Sequence, residues 1–318
     1  MAVYTNVSEQ QVSSCLQNYP VGQLVRLKGI AQGVENSNFL LDTTQGKYIL
    51  TLYEKRIKRE ELPWYMDLMQ FFAQHHIRCP LPVRTKEGEC LIELNERPAA
   101  IFTFLDGKEV SEILPEHCFA LGVSMARMHQ VGLEFKRNKK NHVGPDSWNA
   151  LLEKSVNHGY DDLIREIDPV LRKIIQSWPT RQEGLPVGQI HADLFPDNVF
   201  FQDNRLSGFI DFYFACTDFL AYDLAIALNA WCFKETGEYL VKRARALVAG
   251  YQSVRILTEK ERLLLPIFKM GAALRFLLTR LHDLVYTPST ALVTPKDPQP
   301  YLYRLRYHQL NKVETYEF

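Results

Sequence analysis

Residues 191–200 read His-Ala-Asp-Leu-Phe-Pro-Asp-Asn-Val-Phe, and residues 210–212 read Ile-Asp-Phe. Asp193 precedes Asn198 by five positions, and Asp211 ends the next apolar segment. Phosphoryl transfer from a magnesium-bound nucleotide needs such a set of groups. One carboxylate orients the acceptor hydroxyl and takes its proton, while an amide oxygen and a second carboxylate hold the metal. The order and spacing match the catalytic loop of kinases.

A β-hairpin is predicted between these polar positions. Residues 199–201 and 206–210 read as strands, and the Asp-Asn pair at residues 203–204 favours the turn between them. The hairpin carries Asn198 at its entrance and Asp211 at its exit, so both side chains can converge on one point. The alternative is a hairpin with ordinary loop acids. The histidine before the loop and the apolar run after it favour the catalytic interpretation.

Composition limits the class of protein. A length of 318 residues suggests two domains or lobes, and Lys+Arg 37 balances Asp+Glu 37. Zero net charge predicts a small-molecule substrate, without nucleic acid or membrane as partner. The six cysteines are dispersed without Cys-x-x-Cys spacing, and no secretory signal or membrane span is apparent. We therefore expect a cytoplasmic protein with reduced thiols; the oligomeric state stays open.

The first third of the chain predicts an antiparallel sheet. Short turns separate apolar segments of strand length, and one longer segment has apolar residues at helical spacing. The predicted strands cover residues 24–30, 39–42, 48–53, 90–94 and 99–104, with helices at 7–18 and 60–76. These elements predict an N-terminal nucleotide-binding lobe over residues 1–105.

Residues 106–318 predict a larger helical lobe that carries the catalytic hairpin. Its predicted helices cover residues 115–130, 149–159, 163–178, 221–231, 238–251 and 259–285, and a strand at 188–190 leads into the loop. The proline-rich residues 288–300 are expected to end the regular structure. The whole order is α+β, a two-lobed protein-kinase-like fold. Ligand sites commonly form in clefts between lobes, so we expect a nucleotide there.

Together these patterns resemble the aminoglycoside phosphotransferase and choline kinase superfamily of small-molecule kinases. The residues that carry the resemblance are 33–39, 48–56, 97–107, 126–129, 191–200, 210–216, 222–225, 229–233 and 275–280. The resemblance implies ATP and Mg²⁺ as cofactors. Within the superfamily the pattern is closest to homoserine kinases of threonine biosynthesis, which implies L-homoserine as the acceptor.

The resemblance also implies roles for individual residues. Asp193 matches the catalytic base, and Asn198 and Asp211 match the magnesium ligands. His191 and Asp223 match the residues that support the catalytic loop. The nucleotide would contact a glycine-containing turn and the backbone of the hinge. The matching residues are Gly33, Asn36 and Ser37 in the turn and Phe102, Thr103, Phe104 and Leu105 in the hinge.

One position departs from the kinase pattern. Kinases usually carry a lysine in the third strand, which contacts the phosphates and pairs with a helix glutamate. Thr51 stands at the matching position. Other cations follow nearby but none can be assigned, and the partner glutamate is equally open. The candidates are Lys47, Lys55 and Arg56 for the cation and Glu60 and Glu61 for the glutamate.

The acceptor site is predicted from the chemistry of an amino acid. Its α-carboxylate favours a bidentate arginine, for which Arg275 and Arg280 are the candidates. Asp218 is a candidate for the α-ammonium, and Tyr213 for a wall of the site. A sister kinase for choline, ethanolamine, methylthioribose or an aminoglycoside is an alternative. A nucleotide-binding pseudokinase that acts as a regulatory module is a third.

Overall fold

The computed structural model describes residues 5–30, 36–54, 57–180, 184–287 and 294–311. These described residues form two compact units. The first lies within Met1–Asp106 and includes Thr294, and the second lies within Gly107–Pro288 and Pro295–Phe318. The division falls one residue after the predicted lobe boundary.

The first unit contains the predicted antiparallel sheet. Among the described residues it has five strands in the order β1-β2-β3-β5-β4. The strands are β1 (Leu24–Gly29), β2 (Ser37–Thr43), β3 (Gly46–Leu52), β4 (Ile92–Leu94) and β5 (Arg97–Thr103). Every neighbouring pair runs antiparallel, as the short turns predicted. The prediction of this sheet from alternating apolar segments is therefore confirmed.

Two helices accompany the sheet, and both are shorter than predicted. Helix α1 (Glu9–Leu16) begins after Ser8, whose side chain accepts a hydrogen bond from the backbone of Gln11 in a capping box. Its apolar face packs on the sheet in the core cluster of the unit. Helix α2 (Leu62–Gln74) follows a 3₁₀ turn at Arg59–Glu61, which occupies the first residues of the predicted helix.

The second unit is mainly helical, as predicted. Its helices are α3 (Pro115–Gly132), α4 (Pro145–Lys154), α5 (Asp161–Ser177), α6 (Leu220–Trp231), α7 (Val241–Gln252), α8 (Glu259–Tyr286) and α9 (Gln299–Leu310). Helices α3 and α7 approach closely where each has a glycine. A Cβ on Gly122 would overlap the carbonyl oxygen of Leu247, and one on Gly250 would overlap that of Phe119. No helix of the described residues is long and apolar enough to cross a membrane.

Two short strand pairs hold the catalytic segment. Strands β7 (Val199–Gln202) and β8 (Arg205–Phe209) form the predicted hairpin. Strand β6 (Val187–Ile190) pairs with β9 (Cys216–Phe219), which the sequence analysis missed. Every residue of β9 is buried. A fully buried strand has no solvent-facing side, so its sequence need not show the polar alternation by which a half-exposed strand is recognised.

Helix α9 corrects the expectation that regular structure ends at residues 288–300. The helix begins directly after Pro298 and has Pro300 in its first turn, where a proline is compatible with a helix. Its buried residues include Tyr301, Leu302 and Leu305. The Tyr301 ring lies 5.2 Å from that of Phe276 on α8, so the last described helix is part of the core of the second unit.

Candidate active site

The catalytic segment folds as a tight loop between β6 and β7. Ala192 has a positive φ of 62°, which turns the chain sharply before Asp193. The Asp193 carbonyl accepts a hydrogen bond from the backbone N–H of Phe195 at 2.8 Å. A 3₁₀ turn at Pro196–Asn198 then leads into β7. The predicted turn at this proline is therefore present.

Asn198 binds Asp193 directly. Its amide nitrogen Nδ2 donates to the Asp193 carbonyl at 2.8 Å and to the carboxylate oxygen Oδ2 at 3.0 Å. The amide group thereby fixes the orientation of the carboxylate. The Asn198 Oδ1 atom accepts no hydrogen bond from a described residue, so this oxygen is suited to a metal ion.

The hairpin brings Asp211 to the same end as Asn198. The backbone N–H of Ile210 donates to the Asn198 carbonyl at 3.0 Å, just beyond the Val199–Phe209 pair. Asp211 is exposed and has a left-handed backbone conformation, with φ 62°. An amide oxygen and a carboxylate at one hairpin end fit a hard divalent cation, which prefers oxygen ligands.

Asp223 on α6 supports the loop from below. Its carboxylate is fully buried and accepts backbone N–H bonds from His191 at 3.0 Å and from Ala192 at 2.8 Å. It also contacts His129 Nε2 at 3.0 Å. Burial opposes ionisation, but the His129 hydrogen bond and the neighbouring histidines outweigh it and lower the pKa of Asp223. The loop therefore rests on an ionised carboxylate.

His191 connects the loop to the strand that ends before Asp211. Its side chain is fully buried, and Nε2 donates to the carbonyl of Ile210 at 2.9 Å. Burial lowers the pKa of His191 to about 4, against the attraction of Asp223. A neutral imidazole with its proton on Nε2 is consistent with this single carbonyl acceptor.

A chain of hydrogen bonds extends from Asp223 to the start of α8, and the sequence analysis missed it. His129 Nδ1 lies 2.7 Å from the hydroxyl of Tyr251, which accepts from Arg255 at 3.1 Å. Arg255 in turn binds both carboxylate oxygens of Glu261, at 2.9 and 3.0 Å. The members come from α3, α6, α7, α8 and the segment between α7 and α8. No local spacing in the sequence indicates them.

The predicted nucleotide turn of the first unit is described only in part, and Gly33 lies outside the described residues. Asn36 is buried, and its Oδ1 accepts from the backbone of Glu54 at 3.4 Å. Ser37 differs from our expectation of a phosphate donor, because its fully buried hydroxyl donates to Glu54 at 2.7 Å. Strand alternation places Ser37 on the sheet face of Phe39, which packs against α1.

Asn38, which the sequence analysis did not single out, lies beside the unusual Thr51. The two residues are paired across β2 and β3, and the Thr51 hydroxyl donates to Asn38 Oδ1 at 2.7 Å. This cross-strand pair occupies the position where kinases usually have the lysine. Lys47 lies over the ring of Phe104 at 5.6 Å. The other two candidate cations, Lys55 and Arg56, are outside the described residues.

The predicted hinge includes the end of β5. Phe102 and Thr103 belong to the strand, and Thr103 exchanges backbone and side-chain hydrogen bonds with Leu81. Phe104 and Leu105 follow the strand and make no backbone hydrogen bond with another described residue. Their backbone groups are therefore suited to a planar base with donors and acceptors at its edge.

The structure separates the four candidates for acceptor binding. Arg275 is 1% exposed, donates to the Ala192 carbonyl at 2.6 Å and lies over the ring of Phe276. It therefore holds the strained turn of the loop, which corrects our expectation that it binds the acceptor. Arg280 is half-buried and donates to the Asp297 carbonyl at 2.8 Å.

Asp218 also differs from the expectation. It accepts from Asn141 Nδ2 and from the backbone of Phe219, both at 2.8 Å, and pairs with Gly188 in the β6–β9 register. Gly188 precedes the loop by three residues of β6, a distance of about 10 Å along the strand. Asp218 lines a separate cavity of about 470 Å³ with Trp178. Tyr213 is half-buried in a 3₁₀ turn that follows Asp211 directly, so its role stays a prediction.

Comparison with known proteins adds independent findings. The model of the phosphotransferase enzyme family matches residues 26–257. The homoserine kinase of Gluconacetobacter diazotrophicus is 51% identical over 312 residues, which are 97% of this chain and 97% of that protein. The homoserine kinase of Parvibaculum lavamentivorans is 50% identical over 313 residues, covering 97% and 96%.

Solved structures show the same fold at low identity. An amicoumacin kinase in complex with AMP-PNP and Ca²⁺ superposes with a TM-score of 0.73 and 18% identity, covering 96% of this chain and 93% of that chain. A choline kinase from Cryptosporidium parvum superposes with a TM-score of 0.68 and 14% identity, covering 96% and 95%. The predicted kinase-like α+β fold is therefore confirmed.

Proposed function

We propose, on the premise that this chain belongs to the phosphotransferase enzyme family and to the homoserine kinases within it, that it phosphorylates the side-chain hydroxyl of L-homoserine. ATP is the donor and O-phospho-L-homoserine the product, a step of threonine biosynthesis. The observation that carries the proposal is the hydrogen bond from the Asn198 amide to the Asp193 carboxylate at 3.0 Å. This bond holds the carboxylate in one orientation beside a candidate metal site.

Asp193 orients the acceptor and receives its proton. The hydroxyl oxygen of homoserine forms a bond to the γ-phosphorus, and the bond from that phosphorus to the β–γ bridging oxygen breaks. The hydroxyl proton passes to the Asp193 carboxylate, and ADP leaves. Positioning supplies much of such a reaction, which is why the carboxylate is fixed by hydrogen bonds.

Asn198 Oδ1 and Asp211 are the proposed protein ligands of the metal ion. We propose Mg²⁺, because a compact oxygen-liganded cation with few protein ligands is typical of phosphoryl-transfer sites. Held by these two residues, such an ion would supply positive charge to offset the charge that develops on the transferred phosphoryl group. His191 keeps the two ligands together, since it hydrogen-bonds the residue before Asp211.

The first unit supplies the proposed nucleotide contacts. Backbone groups of Phe104 and Leu105 bind the adenine edge, after the strand that ends at Thr103. Asn36, in the described part of the predicted turn, contacts phosphate oxygens. The amide nitrogen of Asn38, which donates to no described residue, is a further phosphate donor. The Thr51 hydroxyl holds this amide in place, which assigns a role to the residue that replaces the usual lysine.

The proposal includes a cytoplasmic location. All six cysteines are free thiols and four of them are buried, as expected in a reducing compartment. ATP, the proposed phosphoryl donor, is also available in that compartment. Fractionation of cells that express the tagged full chain tests this part, and recovery outside the cytoplasm would overturn it.

The experiment that tests the function measures ADP release from Mg²⁺·ATP with separate acceptors. The panel contains L-homoserine, choline, ethanolamine, methylthioribose and kanamycin. We expect the highest kcat/KM with L-homoserine. Preference for another acceptor would support kinase activity but contradict homoserine as the substrate. Binding of Mg²⁺·ATP without turnover of any acceptor would favour a regulatory pseudokinase.

A further inference from the structure

Tyr301 on α9 has a buried hydroxyl that lacks a hydrogen-bond partner among the described residues. Its ring lies 6.4 Å from that of Phe195, two residues after Asp193. Burial raises the pKa of Tyr301 to about 12 against the opposing charges of Arg304 and Arg280, and the negative charge of Asp193 adds a smaller rise. Buried hydroxyls normally have a partner. An unused donor beside the catalytic loop therefore suggests a ligand.

Two guanidinium groups contact the same ring. Arg280 Cζ lies 4.6 Å and Arg304 Cζ 4.3 Å from the centroid of Tyr301. Burial lowers the pKa of Arg280, and the charge of Arg304 lowers it further. The two positive charges repel each other, and a bound anion would reduce this repulsion.

The carboxylate that forms an ion pair with Arg304 is a poor counterion. Arg304 Nη2 lies 3.3 Å from Glu235, whose side chain is 76% exposed, while that of Arg304 is 2% exposed. Solvent and salt weaken the attraction of an exposed carboxylate. Arg304 Nε is also buried without a partner among the described residues. The cluster therefore has two unused buried donors among the described residues, the Tyr301 hydroxyl and Arg304 Nε, beside its two guanidinium groups.

We propose that Arg280, Arg304 and the Tyr301 hydroxyl form the subsite for the α-carboxylate of the amino-acid acceptor. This inference rests on the proposed function and extends it to specificity. A carboxylate matches the planar fork of a guanidinium and accepts bidentate hydrogen bonds. Tyr301 supplies an additional O–H donor. Arg280 is half-buried, so the acceptor reaches the cluster from the exposed side of this residue.

The length of homoserine agrees with this placement. Four bonds, or about 5 Å, separate its carboxylate carbon from its hydroxyl oxygen. A homoserine whose hydroxyl contacts Asp193 must therefore place its carboxylate close to the catalytic loop. Tyr301 packs beside this loop through Phe195. Arg275 is not part of this cluster, because its guanidinium donates to the Ala192 carbonyl and lies over the rings of Phe214 and Phe276.

The experiment compares Tyr301→Phe and Arg280→Gln with matched controls in the full chain. Tyr19→Phe also removes a buried hydroxyl without a described partner, in the first unit. Arg306→Gln removes a guanidinium of α9, the helix of Tyr301, which binds Glu166 instead. For each protein we measure KM for ATP and kcat/KM for L-homoserine. We also measure kcat/KM for 3-aminopropan-1-ol, which is homoserine without its carboxylate.

We expect each test variant to reduce the ratio of kcat/KM for homoserine to that for 3-aminopropan-1-ol by about 10- to 100-fold, typical of hydrogen bonds to charged groups. KM for ATP stays unchanged, and the controls keep the wild-type ratio. A merely structural role would lower kcat/KM for both acceptors by the same factor and leave the ratio unchanged. That result would overturn the proposed subsite.

The two proposals fail in distinguishable ways. If the wild type phosphorylates homoserine and the variants keep its ratio, the subsite is wrong and the function stands. If the wild type does not phosphorylate homoserine, the function is wrong. The thermal shift with L-homoserine then decides the subsite. A shift that Arg280→Gln abolishes supports a carboxylate site, and no shift in the wild type overturns it.

Discussion

The amide nitrogen of Asn198 donates to the carboxylate of Asp193 at 3.0 Å and to its backbone carbonyl at 2.8 Å. The two residues are five positions apart, so the contact closes the catalytic loop on itself. One side chain thereby serves two purposes in the proposed mechanism, since its nitrogen orients the proposed base and its oxygen is left for the proposed metal ion. This short loop fixes the two side chains relative to each other.

Replacement of the base tests its role. Asp193→Asn retains the size of the side chain but cannot take a proton. We expect kcat to fall by about 10²- to 10⁴-fold with nucleotide affinity unchanged. Steady-state kinetics and nucleotide titration measure the two quantities. Asp197→Asn is the control, because this side chain is 53% exposed and its described partner is Lys296 at 3.5 Å. Full activity of Asp193→Asn would contradict the assignment.

The metal site can be tested with two aspartates of one hairpin. Asp211 and Asp203 both have left-handed backbone conformations, with φ 62° and 48°. Asp211→Asn removes a charged oxygen ligand, so we expect a higher Mg²⁺ concentration for half-maximal activity and a lower kcat. Asp203→Asn lies in the turn between β7 and β8 and should match the wild type. An identical Mg²⁺ dependence of both variants would argue against Asp211 as a ligand.

The hydrogen-bond chain behind Asp223 predicts a stability effect. Tyr251→Phe leaves His129 Nδ1 buried without the hydroxyl at 2.7 Å. We expect the free energy of unfolding to fall by about 1–3 kcal/mol, measured by urea denaturation. Tyr286→Phe is the control, because its hydroxyl binds the Lys154 carbonyl at an exposed position. An equal loss in both variants would mean that burial of these hydrogen bonds adds nothing to the stability of the protein.

Stability should depend on the neutral state of His191. Its pKa is about 4 in the folded protein, against 6.5 for an ordinary histidine. Between these values the unfolded chain binds a proton that the folded chain does not. The free energy of unfolding therefore decreases as the pH is lowered through this window, by up to about 3 kcal/mol from this group.

Denaturation at several pH values with His191→Asn checks this. The variant should show a shallower pH dependence, and the exposed His142→Asn should match the wild type. Burial also lowers the pKa of His308, which contributes to the dependence that remains. An unchanged slope in His191→Asn would show that His191 is not the group responsible.

The close approach of α3 and α7 predicts a severe packing defect. A Cβ at Gly122 would overlap the Leu247 carbonyl and lie 2.6 Å from the backbone nitrogen of Tyr251. We expect Gly122→Ala to lower the free energy of unfolding by about 3 kcal/mol, even though alanine favours a helix. Ser124→Ala on the same helix should change it by less than about 0.5 kcal/mol. A stable Gly122→Ala protein would show that the two helices can separate.

The sequence by itself determined the order of the catalytic groups, the hairpin that joins them and the strands of the first sheet. These features are local, since Asp193 and Asn198 share one loop and alternation of apolar residues marks half-exposed strands. The boundaries of α1 and α2 shifted because a cap and a 3₁₀ turn decide where a helix begins. The fold class followed from the order of these local elements.

Only the tertiary structure decided which side chains meet. His129 and Asp223 are 94 positions apart, and Arg275 reaches Ala192 across 83 positions. Tyr301 packs beside the loop from a helix that the sequence analysis did not predict. Residue type and spacing carry no record of such contacts, because packing of whole helices brings them together. The proposed base was therefore visible in the sequence, whereas the support of the loop and the proposed acceptor subsite depended on the folded chain.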